Sequence, residues 1–466
     1  MKPLSLFLCC SALLLALFGL EGNSVEAASD PFPSFQCIQP NVAFWKKVYA
    51  EYPKSKGLIH DSQNLAIIYE VVTLETDDST EGAQANERLL KSVKEKYRQI
   101  LTSLAQGRPP SNPEEKRVAE LFGPSCHTET LKAAAENIRF QRCLSDRFQA
   151  GLVRSGRYFE QIKDIFSQNG LPSDLAYLPH VESSYDYQAY SKSGAVGIWQ
   201  FIRDTGSRFL TINSALDERR DPILASHAAA KFLQGNYTKL ENWPLALTAY
   251  NHGLTSMLRA KNSLGTFEKI YQGYDGPHFG FASRNFYAEF LAAREIAKNY
   301  RLHFKDLRLD EPVQTKAVSM NNAIGIKAVS SHFNVPLSTL AELNPALLKP
   351  VWDGRQSVPK GYSLRLPKTA VAADRLAATL PPSPPVSPPV PVRQKASQVH
   401  GVKQGDTVVA IAERYGVSAR DLIALNRLGR GAVLKVGQKL QIPSPEDNRS
   451  ATKPKARVAQ KNTAGK

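Results

Sequence analysis

LPHVESSYDYQAYSKSGAVGIWQFIRDTG, residues 178–206, is the stretch on which the reading of this chain turns. Leu175, Leu178 and Glu182 fall at i, i+3 and i+7, so a helix through them sets the Glu182 carboxyl on an apolar face. A carboxyl pressed against a core is desolvated and its charged form disfavoured. It then keeps a proton near neutral pH and can act as a general acid. Gly194, Ala195 and Gly197 are small enough to let backbone approach a ligand. Trp199 and Phe201 either wall that ligand site or fill the core.

Working outward, residues 141–305 read as a helical domain. A helix carrying Phe159, Ile162, Ile165 and Phe166 stops at Gly170, with Pro172 just beyond. Ser173 is a candidate N-cap for the helix leading to Glu182. Asp221-Pro222 is a cap followed by proline at the first helical position, and Trp243 and Pro244 precede another short helix, LALTAYN. The last helix, FASRNFYAEFLAAREIAKNY, sets Phe286, Phe290, Ala293 and Ala297 on one side. Upstream, residues 28–140 read as a helical N-terminal region, with Leu89, Leu90, Val93, Tyr97, Ile100, Leu101 and Leu104 at helical spacing and a break at Pro109 to Pro113. Downstream, residues 313–368 and 399–443 share one order: a helix, the pattern F/Y-x-V, a helix ending in Leu-Asn, and a short strand before proline. This is an internal repeat. PPSPPVSPPVPV lies in the spacer between the copies, 369–398, and predicts extended polyproline II; the polar, basic tail 444–466 predicts disorder. The fold class expected is mainly α with two small βααβ modules.

The 466 residues suffice for several domains. A net charge of +16, from 59 Lys plus Arg against 43 Asp plus Glu, favours polyanionic surroundings, among which nucleic acid is set aside because the basic residues are dispersed and the chain reads as exported. Residues 1–27 have the form of a signal peptide: Lys2, an apolar run from Leu4 to Leu20, and Val25 and Ala27 before a cut at Ala28. Soluble export is expected over lipid attachment at Cys9 or Cys10, with at most peripheral membrane contact. Of Cys37, Cys126 and Cys143, an odd set, either Cys126 and Cys143 pair or all remain free thiols. No Cys or His cluster has metal-ligand spacing, and no cofactor is called for.

The ordered string V-E-S, A-x-S, G-A-x-G-x-W-Q-F and T-G resembles the catalytic signature of the soluble-lytic-transglycosylase-like domains, whose fold is like goose-type lysozyme. LDERRDP (216–222), ALTAYNHG (246–253) and FQRCLSDRFQAGLVRSGRYFEQI agree with it and resemble the membrane-bound D-type branch that carries LysM modules. The resemblance implies that Glu182 is acid and then base, that Ser191 bonds near it, and that Tyr250 steers the carboxyl. Tyr250 and Asn251 would border the same groove, and Gln200 would either reach the N-acetyl group of the substrate or be structural. The implied reaction cuts the bond between N-acetylmuramic acid and N-acetylglucosamine in peptidoglycan strands and leaves a 1,6-anhydro end. One rival is a muramidase-type hydrolase in which Asp186 activates water against Glu182. Another is a wall-binding scaffold without activity. Arg203, His252 and Phe286 depart from the family pattern, which touches substrate preference and leaves the acid in place.

Residues 399–443 resemble a LysM module, which implies binding of N-acetylglucosamine-containing glycans by Gly405, Asp406, Thr407 and Val408 after the first strand, and by Asn426 and Leu428 after the second helix. The 313–368 copy lacks the Gly-Asp-Thr turn and is a degenerate relative. Peptidoglycan is the one partner implied, reached by a monomer in the periplasm or cell envelope.

Overall fold

The computed structural model describes residues 30–77, 79–124, 126–370, 398–404, 406–415, 422–423, 425–426, 428 and 434–442. The leader, nearly all of the proline-rich spacer and the basic tail lie outside them. The chain divides into two units, Met1–Pro381 and Pro382–Lys466, and it is mainly helical.

The largest core of the first unit forms around the Phe281–Lys298 helix, where Phe286, Tyr287, Phe290, Ala293 and Ile296 are all buried. Against it pack the helices Ser145–Ser155, Phe159–Gln168, Pro222–Leu240 and Trp243–His252. Their ends follow the sequence closely. Asp221 Oδ1 accepts from the Ile223 and Leu224 amides at 2.9 Å each, and Asn242 Oδ1 accepts from Leu245 N at 3.0 Å. Gly170 takes φ +68°, a conformation an L side chain resists, and ends the Phe159–Gln168 helix.

Residues near the N-terminus contribute to this same core. Phe32 meets Phe290 edge-on at 5.0 Å, Tyr49 stacks on Phe148, and Asn41 Nδ2 donates to Asn285 Oδ1 at 2.7 Å. The N-terminal region also contains an antiparallel sheet that helical periodicity did not reveal. Its strands are β1 (Lys56–Asp61), β2 (Ile68–Thr73) and β3 (Ile138–Arg142), in the order β2-β1-β3. The Thr80–Ala105 helix lays Val93, Tyr97, Ile100 and Leu101 over it, against Ile59, Tyr69 and Val72. The missed signal was the β-branched run Ile67, Ile68, Val71, Val72, Thr73 in and beside β2.

The degenerate module closes the first unit. Strands β4 (Thr315–Ser319) and β5 (Ser363–Pro367) pair antiparallel, flanking the helices Ile326–Phe333 and Leu337–Leu343. It does not stand alone. Leu216, from the stretch before Asp221, sits in the module's own hydrophobic cluster. Asp217 N donates to Ala346 O at 2.8 Å, and Leu348 N donates to Ala215 O at 2.9 Å. The Arg365 guanidinium bonds both oxygens of fully buried Asp221, the same carboxylate that caps the Pro222–Leu240 helix.

In the second unit β6 (Gln398–Gly401) pairs with β7 (Lys439–Ile442), and the Val408–Arg414 helix packs Ile411 and Ala412 with Leu422 and Leu440. The repeat shows in one shared clamp. Asn344 donates to Leu340 O and Arg365 O and accepts from Arg365 N. Asn426 donates to Leu422 O and Gln441 O and accepts from Gln441 N. In both copies this Asn ties the residue four positions before it to the returning strand.

Candidate active site

Glu182 is the last residue of a short helix, Leu178–Glu182, that continues a 3-10 turn, Ser173–Tyr177. Leu175 and Leu178 are fully buried, so the apolar face expected beside the carboxyl is there. The chain then turns sharply. Ser183 N donates to Pro179 O at 3.0 Å, and Ser184 and Tyr185 both take left-handed φ, 53° and 56°. Each costs roughly 1–2 kcal/mol for a non-glycine residue, so neighbours must hold the turn. Tyr185 Oη donates to Ala176 O at 2.5 Å, Arg154 donates to Ser184 O at 2.6 Å, and Ser183 Oγ donates to Ile198 O at 3.0 Å. Gly151 lies so close that a Cβ there would stand 2.8 Å from Ser184 O.

Burial pushes the Glu182 carboxyl up to about 8, and the charge of Glu289 adds to the rise. Glu289 comes from the Phe281–Lys298 helix; burial raises it to about 7, opposed by a hydrogen bond from Tyr49 Oη at 3.2 Å. Tyr250 Oη donates to Trp199 O at 2.7 Å, and its phenol is raised by burial and by Glu182. Tyr49 is raised by burial and by both carboxyls. Glu182, Glu289, Tyr49 and Tyr250 therefore share one poorly solvated locus. A carboxyl held protonated at neutral pH can donate a proton and, once ionised, take one back.

The other residues singled out in the sequence have structural partners. Ser191 Oγ accepts from Ala195 N at 2.9 Å and pins the turn before Gly194. Gln200, at φ 48°, donates to Gly197 O at 2.8 Å. Asn251 is exposed and accepts from Ser283 Oγ at 2.9 Å. Trp199 and Phe201 are core residues, the indole N–H of Trp199 donating to Ser226 Oγ at 2.8 Å. Asp186 accepts from Gln188 N at 2.9 Å as a turn residue, because the helix has already ended at Glu182. It is Glu289, not Asp186, whose charge reaches Glu182.

Sequence reasoning missed Glu289 and Tyr49. The signal for Glu289 was present: an acid three residues after Phe286 and four before Ala293, both on the buried face of that helix. Tyr49 reaches the site only through tertiary packing. Arg219, within LDERRDP, is a clamp: it pairs with Asp217 and donates to Gly194 O and Phe201 O at 3.0 Å each. A Cβ on Gly197, at φ +75°, would meet Arg219 O at 2.0 Å, so that position needs glycine.

In the second unit Asp406 accepts from His400 Nε2 at 2.9 Å and from Lys403 N at 2.8 Å, and Thr407 Oγ1 caps the following helix through Ala410 N. Val408 is buried and Leu428 packs on the module's core. Gly405 lies outside the described residues. Cys37, Cys126 and Cys143 are free thiols, with Cys143 buried. Among the described residues no group of His, Cys, Asp or Glu could hold a metal ion, and no helix is long and apolar enough to cross a membrane.

Residues 162–272, which include Glu182, Ser191, Gln200, Tyr250 and Asn251, match the Transglycosylase SLT domain. This stretch is similar to an SLT domain. Residues 400–443 match the LysM domain. The chain is also similar to membrane-bound lytic murein transglycosylase D of Escherichia coli strain K12 and of strain O6:H1, 29% identical over 297 residues. The similarity covers 62% of this chain and 64% of each relative. A solved structure of an inactive mutant of lytic transglycosylase Slt from Pseudomonas aeruginosa matches at 18% identity and a TM-score of 0.25, over 31% of this chain and 24% of that one. Glu182, the proton-holding carboxyl, thus belongs to the SLT domain, while Glu289 and Tyr49 lie beyond its matched span.

Proposed function

We propose that this chain is an exported peptidoglycan lytic transglycosylase that cuts the β-1,4 bond between N-acetylmuramic acid and N-acetylglucosamine. The observation that carries the reading is a carboxyl held protonated to about pH 8 at the end of the Leu178–Glu182 helix, inside the SLT-matching span. Protonated Glu182 donates to the bridging oxygen as the glycosidic bond breaks, and the muramoyl N-acetyl group supports the positive anomeric carbon. The Glu182 carboxylate then removes the proton of the sugar's own C6 hydroxyl. That oxygen bonds to the anomeric carbon and leaves the 1,6-anhydro product. One protein carboxyl suffices, unlike the two-carboxylate hydrolases.

Tyr250 has a positioning role. Its proton is committed to Trp199 O, which fixes the phenol in the same poorly solvated site as Glu182. Ser191 and Gln200 hold the turn that shapes the groove, and Asn251 borders it. The LysM module, through Gly405, Asp406, Thr407 and Asn426, keeps the enzyme near an insoluble substrate and raises its effective concentration. The signal-like leader supports reading this activity as one of the periplasm or cell envelope.

Purified sacculi digested with wild type and with Glu182→Gln test the reading. Wild type releases soluble muropeptides and the variant does not. Equal release by both removes the role of Glu182.

A further inference from the structure

A cleft of about 940 Å³ opens between the SLT core and the degenerate module, with Tyr187, Arg220, Glu342, Lys349 and Trp352 among its lining residues. Its walls come from two parts of the chain. Tyr187 and Gln188 belong to the loop that leaves Glu182, whereas Trp352 ends a short helix, Lys349–Trp352, in the module. The two walls cannot drift apart easily, because the buried Asp221–Arg365 pair and the backbone bonds of Ala215 and Asp217 to the module fix them.

The charges of the cleft are matched except for one. Lys349 pairs with Asp353 at 2.9 Å, and Glu342 pairs with Arg157 at 2.6 Å. Arg220 has no hydrogen bond or ion pair from its guanidinium among the described residues, and its Nε is shielded from water without a partner. A guanidinium left in this state favours a carboxylate, which it can hold through two parallel N–H bonds. Trp352 is partly exposed, and its ring is oriented by its N–H bond to Leu347 O at 2.8 Å. It therefore offers a fixed flat face beside the unpaired cation.

Distance ties the cleft to the cutting site. Tyr187 follows Glu182 by five positions, so their Cα atoms lie at most roughly 18 Å apart, about the reach of an extended peptide of four or five residues.

We infer that this cleft binds a short, carboxylate-bearing peptide branching from the glycan strand held at Glu182, with Arg220 on a peptide carboxylate and Trp352 against the peptide or its sugar. The inference rests on the glycan-cleaving reading. It makes the degenerate module a wall of the substrate site, a role that needs none of the glycan-binding turn it lacks.

Titration calorimetry on the full chain tests it with two probes, the disaccharide GlcNAc-MurNAc bearing a tetrapeptide and the same disaccharide without peptide. Neither contains the bond proposed to be cut, so binding is read apart from turnover. Wild type binds the peptide-bearing probe more tightly. Arg220→Gln weakens that probe about tenfold and not the peptide-free one, and Trp352→Ala weakens it as well. Equal affinity of wild type and folded Arg220→Gln for the peptide-bearing probe overturns the inference; should Arg220→Gln melt well below wild type, equal affinity of Trp352→Ala overturns it instead. Absence of cleavage by wild type on sacculi is a separate result and strikes the glycan-cleaving reading alone.

Discussion

Burial raises the Glu182 carboxyl and the charge of Glu289 adds to it: the two carboxyls, from different helices, lie near enough that the charge of one raises the other. Like charges in a poorly solvated site resist simultaneous ionisation, so the pair keeps a proton well above the usual carboxylate range. With Glu182 at about 8, kcat/KM should fall as pH rises through that value. Glu289→Gln removes the second charge while keeping an acceptor for Tyr49, and the basic limb of the pH–rate profile should move down by roughly one unit. An unshifted limb would show that burial alone sets the acid.

The same pair makes a stability prediction of definite sign. Glu289 is raised in the folded state, to about 7, so folding is favoured by its protonation. That contribution is fully present below the unfolded pKa near 4.5 and is lost as pH rises through about 7. Glu289→Gln should therefore raise the unfolding free energy by ~1–3 kcal/mol at pH 8 and leave it nearly unchanged at pH 4. Denaturant titrations at the two pH values check it.

Asp221 joins helix capping to the docking of the degenerate module. Arg365→Ala leaves its buried carboxylate without a cation and should cost about 3–5 kcal/mol, by the general cost of breaking such pairs. Thermal melting of the full chain reads this as a lowered first transition. An unchanged melting temperature would mean that the module is held by its apolar contacts alone.

Gly197→Ala should damage the site through backbone. The new Cβ meets Arg219 O, and φ +75° disfavours any L side chain. A loss of more than ~1 kcal/mol of stability is expected, with reduced activity because the turn carrying Gln200 must shift. Full activity and wild-type melting would show that the turn tolerates that shift.

Much of this was readable in the chain. The Asp221 cap, the Gly170 stop and the apolar face beside Glu182 are local, and local chemistry fixed them. The β1–β2–β3 sheet was not read, because β3 pairs with β1 only after the intervening helices fold back. Tyr49 and Glu289 escaped for a related reason. A partner supplied by a distant segment leaves no periodic mark, and an acid on a helix shows its role only when the opposing carboxyl is in place. The Trp199 alternative of sugar wall or core filler likewise needed the Ser226 contact to decide it.

The most direct test of the account is mass spectrometry of the muropeptides that the wild-type chain releases from sacculi, with Glu182→Gln alongside. Proton return from Glu182 to the C6 hydroxyl predicts 1,6-anhydro ends from wild type and no release by the variant. Reducing ends from wild type would mean that water is the acceptor and would contradict the mechanism.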